Sequence, residues 1–278
     1  MPLNVPEPKI SVVIPTCNRT GFLAEAIRSA LDQTVDILEV IVIDDASDTD
    51  PCPALAHFGD RVRCARLDSR VGASRARNRG VELARGNIVA FLDDDDLWRP
   101  EKTELQLAAM GDWAEACLCS AQELGRPPHR PWHVPMTEDR LRAHSPCGTS
   151  GLIATRAVML AEPFDPDILR GEDWDVYVRI ARRGTLAHIE RPLYFRRTGH
   201  ARITTEAIRQ SPEELLQAAA VAHKHRAWLG ERAFRRRIAN TLLMFIARRQ
   251  GRLRYVMASL RHAGLRATVS ELAGKFRR

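Results

Sequence analysis

The sequence predicts an α/β fold: a mostly parallel sheet with flanking helices, followed by a C-terminal helical extension. Three observations carry this. Short apolar, β-branched runs alternate with segments of helical spacing through the first half of the chain, the pattern of a parallel sheet covered on both faces. Three of those runs end in polar clusters, Thr16-Cys17-Asn18-Arg19, Asp44-Asp45-Ala46-Ser47 and Asp93 to Asp96, and such sheets bind ligands beyond the carboxyl ends of their strands. From Ser211 onward only helical stripes of Leu, Ile and Phe remain, beside arginine clusters.

Taken in order, Lys9 to Thr16 (KISVVIPT) is short, β-branched and closed by Pro15, so it predicts a buried strand. Thr20 can cap a helix running to about Leu31, with Leu23, Ile27 and Leu31 on one face. Leu38 to Ile43 (LEVIVI) predicts a second buried strand and Arg61 to Leu67 a weaker third. Ser74 to Arg85 reads as a helix closed by Gly86. Asn87 to Leu92 (NIVAFL) is another apolar strand, and Pro100 to Met110 a helix with proline in its first turn. Cys117 and Cys119 alternate as strand neighbours do. Residues 124–148, with five prolines, read as a long loop of the kind that binds or covers a site. Gly171 to Gly184 has helical spacing in Trp174, Val178 and Ala181, and Leu193 to Phe195 a short strand. Phe234, Ile238, Leu242 and Phe245 form one stripe in the tail.

The chain has 278 residues, 45% hydrophobic and 28% charged, which fits one α/β domain with an appendage and a real core. Its net charge of +7 is uneven: residues 206–278 hold 16 Lys/Arg against 5 Asp/Glu, a net of +11, and residues 1–205 a net of −4. A basic tail points to an anionic surface or a solvated helical face. No aromatic residues interleave with the basic ones as in single-strand binders, so nucleic acid is not expected. The six cysteines contain no CxxC pair, which predicts free thiols in a reducing cytosol. The polar, proline-rich Met1 to Lys9 does not read as a signal peptide, and the longest apolar run, Ile238 to Ala247, is too short to span a bilayer. A cytoplasmic protein follows, soluble or peripheral on the inner face of the membrane.

Four consecutive aspartates behind a buried strand repel one another, and a hard divalent cation relieves that repulsion. Magnesium takes one or two carboxylates and completes its shell with substrate phosphate oxygens, and a metal there helps a diphosphate depart. The alternative is a solvated turn that caps the next helix. An aspartyl phosphohydrolase fits poorly, because position 97 is Leu and the cluster comes late in the chain. A dinucleotide dehydrogenase fits poorly too, since the first strand is followed by PTCNRTG and not by GxGxxG.

Taken together, SVVIPTCNR, VIDDASDTD, VGASRARNRG, FLDDDDLW, GEDWDVYVRIARRG and YFRRTGH resemble, in family order, the segments of the family 2 glycosyltransferases, over residues 9–200. The resemblance implies the GT-A fold, a Rossmann-like sheet, over a domain of residues 1–205, with a basic helical extension over 206–278. It implies an inverting transfer of sugar from a nucleotide-sugar donor, commonly UDP- or GDP-linked and with UDP favoured here, to a glycan or lipid-linked acceptor, with Mn²⁺ or Mg²⁺. By position, Pro15, Thr16 and Asn18 would line the nucleotide pocket and Asp45 would bond the base, or merely end its strand. Arg75, Arg77 and Asn78 would lie near the donor, Arg77 being alternatively an ordinary solvated helical arginine. The metal-binding motif maps ambiguously: Asp95 would be the ligand, with Asp93 and Asp94 near the ribose and metal. Glu172-Asp173 matches the motif of the catalytic base, with Asp173 as base and Glu172 orienting the acceptor or loop. Arg196 would pair with phosphate and His200 complete the metal shell.

Two other functions stay open at this point: a non-catalytic nucleotide-sugar or glycan-binding module, and a nucleotidyltransferase, against which stands the lack of an early Gly-rich phosphate loop. Acceptor recognition would draw on the loop 124–148, where His129, Trp132 and His133 could stack on a sugar or lipid carrier. The tail would touch an anionic membrane, or pack its apolar stripe on the first domain or on a second subunit as a homodimer.

Overall fold

A computed structural model describes residues 7–126, 137–197 and 207–276. The chain forms two compact units. One comprises Met1–Thr137, Ser145–Pro166 and Glu172–Thr198; the other comprises Glu138–His144, Asp167–Gly171 and Gly199–Arg278.

The first unit is built on an eight-stranded sheet in the order β3-β2-β1-β4-β7-β6-β8-β5. Its strands are β1 (Ile10–Thr16), β2 (Ile37–Asp44), β3 (Val62–Arg66), β4 (Ile88–Phe91), β5 (Leu97–Trp98), β6 (Ala116–Glu123), β7 (Leu152–Thr155) and β8 (Leu186–Arg196). Helices α1 (Thr20–Leu31), α2 (Cys52–Leu55), α3 (Ala73–Leu83) and α4 (Lys102–Met110) follow β1, β2, β3 and β5, and α6 (Arg156–Ala161) and α7 (Glu172–Ala181) complete the unit. Strands β3, β2, β1 and β4 pair in parallel, β7 runs antiparallel between β4 and β6, and β6 pairs with β8 in parallel. The parallel strands are apolar on both faces: Val12, Val13 and Ile14 of β1 and Val40, Ile41, Val42 and Ile43 of β2 are all buried. That is the expected outcome of helices packing on each side.

Several sequence expectations are displaced by local physics. Arg19, not Thr20, occupies the N-cap of α1, and no side chain caps that end. Gly86 does not close α3, which ends at Leu83 with Ala84 extended. Gly86 instead passes against the backbone of Lys9, whose carbonyl oxygen would stand 2.2 Å from an added Cβ. The short strand expected at Leu193 to Phe195 is the end of the longer β8. Pro192, with no N–H to donate, and the exposed Arg191 interrupt its pattern, and the β6–β8 register shifts there, from Cys119↔Ile189 to Ser120↔Pro192. Cysteines 52 and 64 are joined in a disulfide, contrary to the expectation of free thiols, because α2 brings Cys52 within a Cα–Cα distance of 5.4 Å of Cys64 on β3. Cys17, Cys117, Cys119 and Cys147 are free.

The second unit is helical. It contains α5 (Glu138–Ala143), α8 (Pro212–Gln217), α9 (Ala220–Lys224), α10 (Arg226–Leu243), α11 (Arg252–Ala263) and α12 (Leu265–Phe276). Helix α5 lies within the span expected to be a loop, and Leu141 on it is buried. Leu215, Leu229, Phe234, Ile238, Leu242 and Tyr255 are buried as well. Phe245, expected on the same stripe, falls beyond the end of α10 in a left-handed conformation and is half-buried. Several arginines here are structural. Arg237 donates to the carbonyls of Arg142 and Leu141 at 2.7 and 2.9 Å, and Arg249 to those of Ile208 and Gln210 at 3.1 and 2.8 Å. Among the described residues no helix is long and apolar enough to cross a membrane.

Candidate active site

The carboxyl ends of β1, β2 and β4 bring their polar clusters together. Asn18 takes a left-handed backbone conformation just past β1. Its N–H donates to Ser47 Oγ at 2.8 Å, its side-chain amide donates to Asp48 at 3.0 Å, and Asp48 N–H donates back to Asn18 Oδ1 at 2.8 Å. The two loops are thus locked to each other. Asp44 is fully buried, accepting from Ser47 and facing Arg66 at 3.5 Å. Asp45 accepts the backbone N–H groups of Val71 and Gly72 at 2.7 and 2.9 Å, fixing the entry to α3. Each of its oxygens keeps a second lone pair for a ligand.

The aspartate cluster divides by environment. Asp94 accepts from Thr16 Oγ1 at 2.7 Å and Asp96 from Ser150 Oγ at 2.7 Å. Both are buried, and withdrawal from water raises them, Asp94 to about 7 and Asp96 to about 8. Neighbouring aspartates push in the same direction, Asp93 most strongly on Asp96. Asp95 lies 3.3 Å from Arg19, and Asp93 lies 2.7 Å from Arg77.

Arg77 is the centre of the site. It sits on α3, 5% exposed, and its two terminal nitrogens reach Asp93 at 2.7 Å and Glu172 at 3.2 Å. Burial alone would lower its pKa; the two carboxylates outweigh that and raise it, so the guanidinium stays charged. Its Nε is buried with no hydrogen-bond partner, and its plane lies against the Phe164 ring, 5.4 Å from the centroid. The reading of Arg77 as a solvated helical residue is therefore set aside. Asp173, at the first turn of α7, is half-buried and accepts from Trp174 N–H at 2.6 Å. Burial first, and the Glu172 charge second, raise its carboxyl to about 7.

Not every expected residue converges here. Asn78 exchanges two hydrogen bonds with the backbone of Phe164, at 2.8 and 2.9 Å, and so holds α3 in place. Arg75 is exposed and lines a cavity of about 460 Å³ with Asp68, Ser69, Arg79, Glu82 and Pro166. Arg196 pairs with Glu123 at 3.4 Å. Its neighbour Arg197 is the one at the aspartates: its N–H donates to Asp96 at 3.3 Å and its Nε to the carbonyl of Asp95 at 3.3 Å. Arg19, Ser150 and Arg197 are the site residues that the sequence reading missed. The strand-end cluster holding Arg19 was visible; Ser150 and Arg197 carried no signal of their own. His200, His129, Trp132 and His133 lie outside the described residues.

Among the described residues no three His, Cys, Asp or Glu side chains are arranged to hold a metal ion. The donor set still suits one that is shared with a ligand. Asp93 and Asp95 are two carboxylates in a cluster crowded with like charge, and a magnesium-type site needs no more than that when phosphate oxygens complete the shell.

The sequence pattern of the family described as Glycosyl transferase family 2 matches residues 11–165. A chondroitin synthase from Escherichia coli is 28% identical over 197 residues, 68% of this chain and 29% of that protein. A putative teichuronic acid biosynthesis glycosyltransferase from Bacillus subtilis is 36% identical over 107 residues, 37% of this chain and 42% of its own length. The chain thus spans less than half the length of both relatives. Among solved structures, S. aureus TarS in complex with UDP-GlcNAc superposes with a TM-score of 0.63 at 18% identity, covering 91% of this chain and 71% of that one. A mannosyltransferase from Pyrobaculum calidifontis in complex with GDP-Man and Mn²⁺ gives 0.62 at 20% identity, covering 98% and 80%.

Proposed function

The chain belongs to glycosyl transferase family 2 and has the GT-A fold, and on that footing we propose that it transfers a sugar, with inversion, from a nucleoside diphosphate sugar to a glycan or lipid-linked acceptor. UDP is the favoured nucleotide. The observation that carries this reading is the Asp93–Arg77–Glu172 bridge. Through one guanidinium, the carboxylate cluster suited to a donor diphosphate and the motif suited to a base stand side by side.

In this reading each residue takes a role that its placement supports. Pro15, Thr16, Asn18 and Asp45 frame the nucleotide, with the free lone pairs of Asp45 available to a base N–H. Asp93 and Asp94 face the ribose and diphosphate side. Arg197 suits an anionic leaving group better than Arg196, since it already lies at Asp95 and Asp96. Arg75 lines the neighbouring cavity with Asp68 and Ser69, and Asn78 holds α3 in place. A divalent cation, Mn²⁺ or Mg²⁺, held by Asp95 and Asp93 would offset the charge of the departing diphosphate. Asp173 takes the proton from the acceptor hydroxyl as that oxygen attacks the anomeric carbon. The new C–O bond forms as the bond to the diphosphate breaks, and the nucleoside diphosphate leaves with the electron pair. Glu172, tethered by Arg77, orients the acceptor side. Contact with the inner face of the cytoplasmic membrane, through the basic C-terminal helices, would serve a lipid-linked acceptor.

The test is product analysis with a set of nucleotide sugars and Mn²⁺. Release of nucleoside diphosphate, abolished in Asp173→Asn, supports the proposal. Release of pyrophosphate, or none from any donor in wild type, overturns it.

A further inference from the structure

Outside the site, the helical unit carries a surface that its own core does not explain. Helix α11 buries Tyr255, Ser259 and Ala263 on one face. Away from that face, Leu253 and Met257, one turn apart, are 73% and 57% exposed. Helix α12 repeats the arrangement: Thr268 is buried and bonded to Ser259 at 2.8 Å, while Leu265 and Val269, again one turn apart, are 68% and 54% exposed. Single exposed apolar residues are ordinary, but two successive helices each presenting an aliphatic stripe mark an interaction surface.

The charge of this unit, which Leu265 adjoins, is equally unspent. Arg232, Arg235, Arg236 and Arg266 line a cavity of about 820 Å³ with Gly264 and Leu265. Arg235 pairs with Glu231 at 2.7 Å, and Arg249 and Arg237 are consumed by carbonyls as described. Arg232, Arg236 and Arg266, together with Arg261 on α11, are exposed and make no hydrogen bond or ion pair among the described residues. The unit keeps them solvated and unneutralised, within a segment of net charge +11.

We infer that α11, α12 and the arginine-lined cavity form a docking face for an anionic phospholipid surface. Aliphatic side chains enter the acyl boundary while arginines alongside meet lipid phosphates, the combination that holds a helix in the plane of a membrane interface. Nucleic acid would suit the charge but not the stripes, which hold no aromatic ring on which a base could stack. A second copy would suit the stripes but would bring two strongly basic surfaces together. The inference rests on the reading of a membrane-borne acceptor, and it is tested without donor or acceptor, so that the two fail separately.

The experiment is co-sedimentation of the full chain with phosphatidylcholine vesicles, with and without phosphatidylglycerol, at low and high salt. Wild type pellets only with the anionic vesicles at low salt. The triple variant Arg232→Gln/Arg236→Gln/Arg266→Gln partitions roughly 100-fold more weakly, at about fivefold per arginine lost. The variant Leu253→Ser/Met257→Ser, at two exposed positions, is weakened as well, while both variants keep wild-type thermal stability. Wild type remaining in the supernatant with anionic vesicles at low salt overturns the inference. So does equal pelleting with neutral vesicles, or wild-type binding by the arginine variant. Tighter binding to single-stranded RNA than to vesicles, or a dimer in sedimentation velocity that the serine variant dissolves while vesicle binding is nil, assigns the face to another partner and overturns it too.

Discussion

At Asp173 the carboxyl is raised to about 7 by burial and by Glu172, which makes it a proton acceptor poised near neutrality. The rate is therefore expected to fall with a slope of one proton as pH drops below about 7. The stability effect has the opposite sign. A carboxyl raised in the folded state favours folding most below its unfolded value of about 3.9, and that contribution is lost as pH rises toward 7. Asp173→Asn should leave donor affinity nearly unchanged and reduce turnover by roughly 10²-fold or more, measured by calorimetry and by initial rates; normal turnover removes the residue from the base role. Arg77→Lys tests the bridge. A lysine offers one point charge where the guanidinium spans two carboxylates. Because Asp93 and Glu172 are part-exposed, the loss should be about 1–3 kcal/mol, below the roughly 3–5 kcal/mol of a fully buried pair. Donor affinity and turnover should fall together, and a variant with unchanged kinetics shows that the bridge is structural only.

Helix α3 is the element that aims Arg77. Gly80 on α3 faces β1 so closely that an added Cβ would stand 2.3 Å from Val13 Cγ1, a side chain fixed in the sheet. Gly80→Ala should therefore cost about 1–3 kcal/mol by overpacking, read by chemical denaturation, and should also weaken donor binding as α3 shifts; full activity with full stability means the sheet gives way instead. At this scale the sequence was most legible where the pattern was unbroken, as apolar runs in β1, β2 and β4 and helical spacing in α1 and α7. It was least legible on the return side of the sheet. Strand β7 (LIAT) turns polar at Thr155, where the apolar run of β4 continues through Leu92, and β8 is interrupted at Pro192, so neither stood out as an unbroken apolar run. Arg197, the first residue past β8, is the one at the aspartates, and the sequence offered nothing to distinguish it from Arg196. Arg196, expected to pair with phosphate, pairs with Glu123 in the structure. The Cys52–Cys64 disulfide was illegible for a similar reason, since no spacing signal marks two cysteines joined only by the packing of α2 on β3.

For the whole molecule, the order of the motifs conveyed the fold and the pairing of two carboxylate centres, while their division of labour needed three dimensions. Four adjacent aspartates look alike in sequence; their partners separate Asp94 and Asp96, bonded to the hydroxyls of Thr16 and Ser150 and raised toward neutrality, from Asp93 and Asp95, bonded to Arg77 and Arg19. The central claim is that Asp95 and Asp93 bind a nucleoside diphosphate through a divalent cation. The measurement that tests it most directly is thermal unfolding with a panel of UDP- and GDP-sugars, with and without Mn²⁺, in wild type and Asp95→Ala. A ligand present at about 100 times its dissociation constant stabilises the folded chain by about 2.7 kcal/mol. The account predicts that at least one donor raises the Tm of wild type only when Mn²⁺ is present, and that Asp95→Ala abolishes the shift. A donor shift of equal size with and without Mn²⁺, or no shift from any donor, contradicts it.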